Sequence, residues 1–187
     1  MERNIEQIWG KYEGLLRRLS DHNLNTLLNE QGQRIAECTF NTSTNDSFTG
    51  PGGLVEFSLE VAKAARSLNE ALDLNCATKS VLLTSLLSDL GRIGDLEQDT
   101  FSIQDSDWHR DKLGAHYKFN EKLSRAPVTH MSCFLINSFG IEISLEETRA
   151  IMTSGGLGRD ENKSYGFFNA PLQSLIQSAK LFTVNLT

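Results

Sequence analysis

Between Leu54 and Leu72 apolar residues return every three or four positions (Leu54, Phe57, Val61, Ala64, Ala65, Leu68, Leu72), while Glu56, Glu60, Lys63 and Arg66 fall on the other faces. That spacing predicts a long amphipathic helix with one buried stripe. The next segment, KSVLLTSLLSDL over 79 to 90, is apolar almost all round, which predicts a central helix enclosed by its neighbours. A chain holding one such helix beside one such stripe must surround both with further helices. The fold class is therefore all-α.

The flanking segments supply those helices. Residues 5 to 19, IEQIWGKYEGLLRRL, repeat Ile5, Ile8, Trp9, Tyr12, Leu15, Leu16 and Leu19 at helical spacing, and Ser20 and Asp21 follow as a stop. A second helical segment covers 24 to 37. Residues 127 to 140 read as a helix with Pro127 in its first turn and Gly140 just past its end. ISLEETRAIM carries a capping box, Ser144 with Glu147 three residues on. A final helix from Pro171 turns Leu172, Leu175, Ile176, Ala179 and Phe182 inward. Gly91 reads as the stop of the central helix. Residues 38 to 53 are expected to be a loop, and 95 to 119 a polar stretch holding a short helix or a small hairpin. The expected organisation is a single domain, 1–187, with 1–37 as an N-terminal helical segment packing on the core. Trp9 and Tyr12 face either that core or a docking partner.

Composition removes several function classes. With 39% hydrophobic residues and three prolines in 187, the chain has enough apolar mass for a core. Its formal net charge is -6 and its longest basic run is Arg17-Arg18, so nucleic-acid binding is disfavoured. No stretch approaches the roughly 18 to 20 apolar residues of a membrane span, and the start is polar rather than a secretory leader, so a cytoplasmic, membrane-free protein is expected. Cys38, Cys76 and Cys133 lack disulfide or zinc spacing and are expected as reduced, buried thiols.

The succession GPGGLVEFSLEVA, LLSDLGRIGD, DSDWHRDKLGAHYKFN, SCFLINSFGIEISLEETRAI and SYGFFNAPLQSLIQSAKL resembles the HD-domain metal-dependent phosphohydrolases, most closely the small HD proteins of large tailed bacteriophages. The resemblance implies an HD-domain-like helical bundle and, for a phage-encoded chain, the cytoplasm of the host. In that family, histidines and carboxylates converging from several helices hold divalent metal that activates water at a phosphoryl group. Carried over by position, the first histidine falls at or near Ser47 and the second on Phe57. Ser88 replaces the histidine of the His-Asp pair, Asp89 survives, and the late carboxylate becomes Lys180. A lysine there sets a cation where the family keeps a metal ligand.

The resemblance thus implies a vestigial site (Ser47, Phe57, Ser88, Asp89, Lys180), no catalytic residues, no metal, and work done by binding a protein partner or another copy of the chain. Two alternatives stay open. One is a phosphohydrolase using Mn, Fe or Mg through a rearranged set of Asp89 with His130, Asp95, His109 or His116. The other is a protein that holds a nucleotide without turnover. Trp108, His109, Arg110 and Lys112 in WHRDK, with His130, are the candidate ligand-binding residues. Two loops offer weaker anion sites: GPGG at a helix N-terminus, and SGGLGRDENKSYG with Arg159 and Lys163.

Overall fold

A computed structural model describes residues 3–44, 46–167 and 170–185. Among them the chain is mostly helical: α1 Ile5–Arg17, α2 His22–Glu37, α3 Gly53–Ala71, α4 Thr78–Leu87, α5 Asp107–Leu113, α6 Val128–Ser138, α7 Leu145–Thr153 and α8 Pro171–Asn185. Two short strands, β1 Phe101–Ile103 and β2 Tyr117–Phe119, pair antiparallel with Phe101 opposite Phe119 and Ile103 opposite Tyr117. The polar 95–119 stretch therefore holds a short helix, as expected, and in place of a small hairpin a two-stranded ladder whose strands are joined through that helix. No helix among the described residues is long and apolar enough to cross a membrane.

Local chemistry sets the helix boundaries. The Asn4 side chain accepts from Gln7 N, and Asp21 from the backbone N–H groups of Asn23 and Leu24, so both entry turns have acceptors for donors that a helix start leaves unpaired. Ser144 and Glu147 form the expected capping box of α7. Pro127 stands one residue before α6 rather than in its first turn.

The long stripe of α3 packs on α8 and α4, which form the centre of the bundle, and α1, α2, α6 and α7 close around them. Leu54, Phe57, Val61 and Ala65 are buried as the periodicity requires. Three residues of the expected stripes are exposed, Ile5 at the start of α1 among them. Leu72 lies past the end of α3 and is exposed. Phe182 is also exposed, because Lys180 and Thr183 continue the inward face of α8 and rotate position 182 outward. Tyr12 is buried and donates its hydroxyl to Leu86 O at 3.0 Å, while Trp9 lies half-buried over Gly32, so this pair faces the core rather than a partner. The three cysteines are free and half-buried, less enclosed than expected.

Gly91 serves a different purpose from a helix stop. It lies in a 3-10 turn, Leu90–Ile93, and packs so closely on α6 that an added Cβ would fall 2.2 Å from Val128 O and 2.6 Å from Met131 Cβ. Backbone atoms cannot yield as a flexible side chain can. Gly91→Ala is expected to destabilise the fold by about 3 kcal/mol, the upper end of over-packing costs, read as a lowered urea midpoint at unchanged m-value.

Candidate functional site

The central helix α4 ends in the interior, where its last carbonyls need donors. Tyr12 serves Leu86 O, and the Ser132 hydroxyl lies 3.0 Å from Ser88 O while accepting from Gly91 N at 2.8 Å. These bonds from α1 and α6 fix the α4 terminus. The next residue, Asp89, is thereby held in a buried position on the floor of a cavity of about 480 Å³.

From α8, Lys180 reaches the same floor. Its Nζ lies 2.5 Å from Asp89 Oδ2 and 3.0 Å from Ser154 Oγ, and its side chain is only 10% exposed. Arg92 Nε stands 3.5 Å from Asp89 Oδ1. Burial opposes the carboxylate charge, but the Lys180 ammonium and then the Arg92 guanidinium outweigh it and hold Asp89 below the usual carboxylate range. Burial also draws Lys180 below its ordinary range against the raising pull of Asp89. At this separation the two are best taken as a charged pair at neutral pH, since a neutral amine would leave Asp89 with only the more distant arginine.

One wall is aromatic. Phe57, 1% exposed, stacks on Phe40 with ring centroids 3.8 Å apart and meets the edge of Phe48 at 5.3 Å. Arg92 covers the other face of Phe40 at 3.7 Å and donates to Phe40 O at 2.7 Å. Phe48 adopts a left-handed backbone, φ 61°, costly for an aromatic residue and here part of the turn that brings its ring into the cluster. The opposite wall comes from the end of α7, where Gly155 O accepts from Arg159 Nε at 3.1 Å and Thr153 O from Gln177 at 3.1 Å.

Of the five positions carried over from the resemblance, Phe57, Asp89 and Lys180 line this cavity, and Ser88 is buried beside Asp89 with its hydroxyl 3.5 Å from Oδ2. Ser47 is not there: it is exposed in its loop, and its neighbour Phe48 supplies the inward side chain. The WHRDK residues lie on α5, outside the cavity. Trp108 is exposed and edge-on to His109, whose ring pairs with Ser106 Oγ at 2.8 Å. Arg110 is occupied by Gln104 O and Asp107, and Lys112 is exposed. His130, on α6, does not line the cavity either.

The rearranged metal set does not assemble. Asp95 accepts from the backbone of Glu97 and Gln98, the His109 ring is turned to Ser106, and His130 lies outside the cavity that Asp89 lines. Among the described residues no group of three His, Cys, Asp or Glu side chains could hold a metal ion. The groups set beside Asp89 are cations, Lys180 at 2.5 Å and Arg92 at 3.5 Å, which compete with a metal for its oxygens.

The weaker loop motifs divide. In GPGG, the N–H groups of Gly53 and Leu54 are taken by Gly50 O and Cys38 O, so that helix start has little left to offer an anion. In the glycine-rich loop after α7, Gly155, Gly156 and Arg159 do line the cavity, whereas Lys163 is exposed and paired with Asp160. Of its closing block, Phe168 and Asn169 lie outside the described residues. Arg92 and Phe40 are participants that the motif comparison passes over. Arg92 had one local signal, its position three residues after Asp89 on a helical continuation.

Comparison with protein-family models, with curated proteins and with solved structures gives no match for this chain.

Proposed function

We propose that this protein is a degenerate HD-domain-type protein that acts by binding rather than hydrolysis, and that the cavity above Asp89 takes a small anionic ligand. Lys180 carries the proposal: its ammonium, 2.5 Å from the carboxylate, supplies internally the positive charge that the family obtains from metal. Arg92 and Arg159 bring the cavity to three cations against one carboxylate, in a chain whose formal net charge is -6. Such a local reversal of sign attracts anions and holds them with charge-assisted hydrogen bonds. Phe40, Phe57, Leu181 and Val184 line the same cavity, which suits a ligand with an apolar part beside its anionic group, and mononucleotides combine both features.

The test has two arms. Purified protein is expected to carry no stoichiometric Mn, Fe, Zn or Mg and to show no phosphatase activity. Stoichiometric metal lost together with activity on Asp89→Ala would overturn the proposal. In the second arm, titration calorimetry with inorganic phosphate and with mononucleotides is expected to show binding that Arg92→Ala and Arg159→Ala each weaken about tenfold. Binding unaffected by both substitutions, or no binding of any probe, refutes the cavity as an anion site.

A further inference from the structure

A separate groove of about 810 Å³ runs between α1 and α3, away from Asp89 and its cavity. On α1 it follows one face from Gln7 to Arg18, a length of about 16 Å at helical rise. Gly10 and Gly14, one turn apart, open it. Interior glycines weaken the helix that holds them, so their presence asks for a reason in packing. Within the chain there is none: a Cβ at either position would meet nothing within 4 Å. The glycines are not needed to let α1 approach α3. They leave room above an apolar floor of Ile8, Leu15 and Leu59, which are only partly covered by the core.

Charge divides between the walls. The α1 wall presents Lys11 and Arg18, neither of which makes an ion pair among the described residues, although the adjacent Arg17 is held by Glu13, Asn25 and Asn29. The α3 wall presents Glu56, held by Arg3 at 2.6 Å, and Glu60, tied at 3.2 Å to exposed Lys63, which lines the same wall. Two unpaired cations line one edge and two carboxylates with one lysine line the other, so the edges differ in sign, and exposed pairs such as Glu60–Lys63 exchange partners at little cost; the patch is complementary to itself after a two-fold rotation. That is the requirement for an isologous contact, in which each residue of one patch meets its opposite in the same patch of the other copy.

We infer that the α1–α3 groove is a homodimer interface: the α1 helices of two copies pack antiparallel across Gly10 and Gly14. Lys11 and Arg18 of each copy then face Glu56 and Glu60 of the other. The glycines permit the close backbone approach, and the apolar floor leaves water. The inference is independent of the ligand cavity and survives if that site proves empty.

Sedimentation equilibrium of the full chain tests it. Average mass is expected to rise with concentration from 20.9 kDa toward twice that value. Gly14→Leu fills the groove with a good helix former, so it should melt no lower than wild type yet remain monomeric throughout. Lys11→Glu with Arg18→Glu should weaken association at least about tenfold, and adding Glu56→Lys with Glu60→Lys should restore it. A wild-type chain that stays monomeric at all concentrations overturns the inference and leaves the groove to a different partner. Dimerisation of Gly14→Leu at wild-type strength, or charge reversal without rescue in variants of native circular dichroism, overturns it equally.

Discussion

Lys180→Met is expected to destabilise the protein by about 3 kcal/mol at pH 7, because it leaves the Asp89 carboxylate buried without its nearest counter-charge. Arg92 at 3.5 Å keeps the loss toward the lower end of the range for broken buried pairs. The pH dependence should change sign between the two proteins. In wild type the folded state holds Asp89 below its unfolded value, so the stability it contributes is present above about pH 4 and is lost as pH falls through the folded pKa. In Lys180→Met, burial dominates and raises Asp89 above its unfolded value. A group raised on folding favours the native state below the unfolded pKa, and that advantage disappears as pH rises through the folded pKa. Acidification from pH 7 should thus recover part of the lost stability, where it only weakens wild type. Urea midpoints at several pH values measure both effects. Replacing both partners, Asp89→Asn with Lys180→Met, should cost less than Lys180→Met alone. If instead the single variant loses less than about 1 kcal/mol, the pair is not what holds the α4 terminus to α8.

The helices were legible because their signals are local. Periodicity marked α3 and α8, the capping box marked α7, and the uniform hydrophobicity of 79–90 marked a central helix whose terminus is enclosed by α1, α6 and α8. What could not be read were choices made by tertiary packing. Gly91 carries the same letter as a helix stop, and only the proximity of α6 reveals it as a site of close approach. Phe182 looks like the next residue of an apolar stripe until a buried lysine takes the inward position beside it. Lys180 itself was the informative anomaly. A charged residue two positions from an aromatic that reads as core is ordinarily assigned to the surface, and only the family resemblance gave a reason to place it beside Asp89.

Register explains which site residues sequence reasoning could reach. Phe57 and Lys180 sit on helices, and Ser88 and Asp89 directly follow one, so spacing fixes their direction, and they gather in the structure around one carboxylate. Ser47 sits in a loop, where a one-residue offset exchanges an exposed hydroxyl for the buried ring of Phe48. The WHRDK residues are continuous in sequence, which made them conspicuous, but a seven-residue helix outside the cavity carries them. Arg92 comes from a 3-10 turn and Phe40 from the loop after α2, positions without periodic signature.

If the cation pair replaced a metal site, reversing the replacements should bring metal back. The triple variant Phe57→His, Ser88→His, Lys180→Asp removes the internal ammonium, places a second carboxylate opposite Asp89 and adds two imidazoles, one in the cavity wall and one at the buried position beside Asp89. Without metal it should be markedly less stable than wild type, because the two carboxylates repel and the Phe57 ring no longer fills its stack with Phe40. Mn, Fe or Zn then binds only the folded form. At about one hundred times the dissociation constant such a ligand adds about 2.7 kcal/mol, which for a chain of this size raises the melting midpoint by roughly 5 to 10 °C. Wild type offers the same metals a carboxylate already neutralised by Lys180 and should show no shift. The single substitution Lys180→Asp separates charge from ligand number: it supplies the carboxylate pair without the imidazoles and should gain only weak affinity. A triple variant with native circular dichroism and a midpoint indifferent to all three metals would remove the support for descent from a metal-dependent fold. In that event the Asp89–Lys180 pair would stand as an ion pair native to this bundle rather than the replacement of something lost.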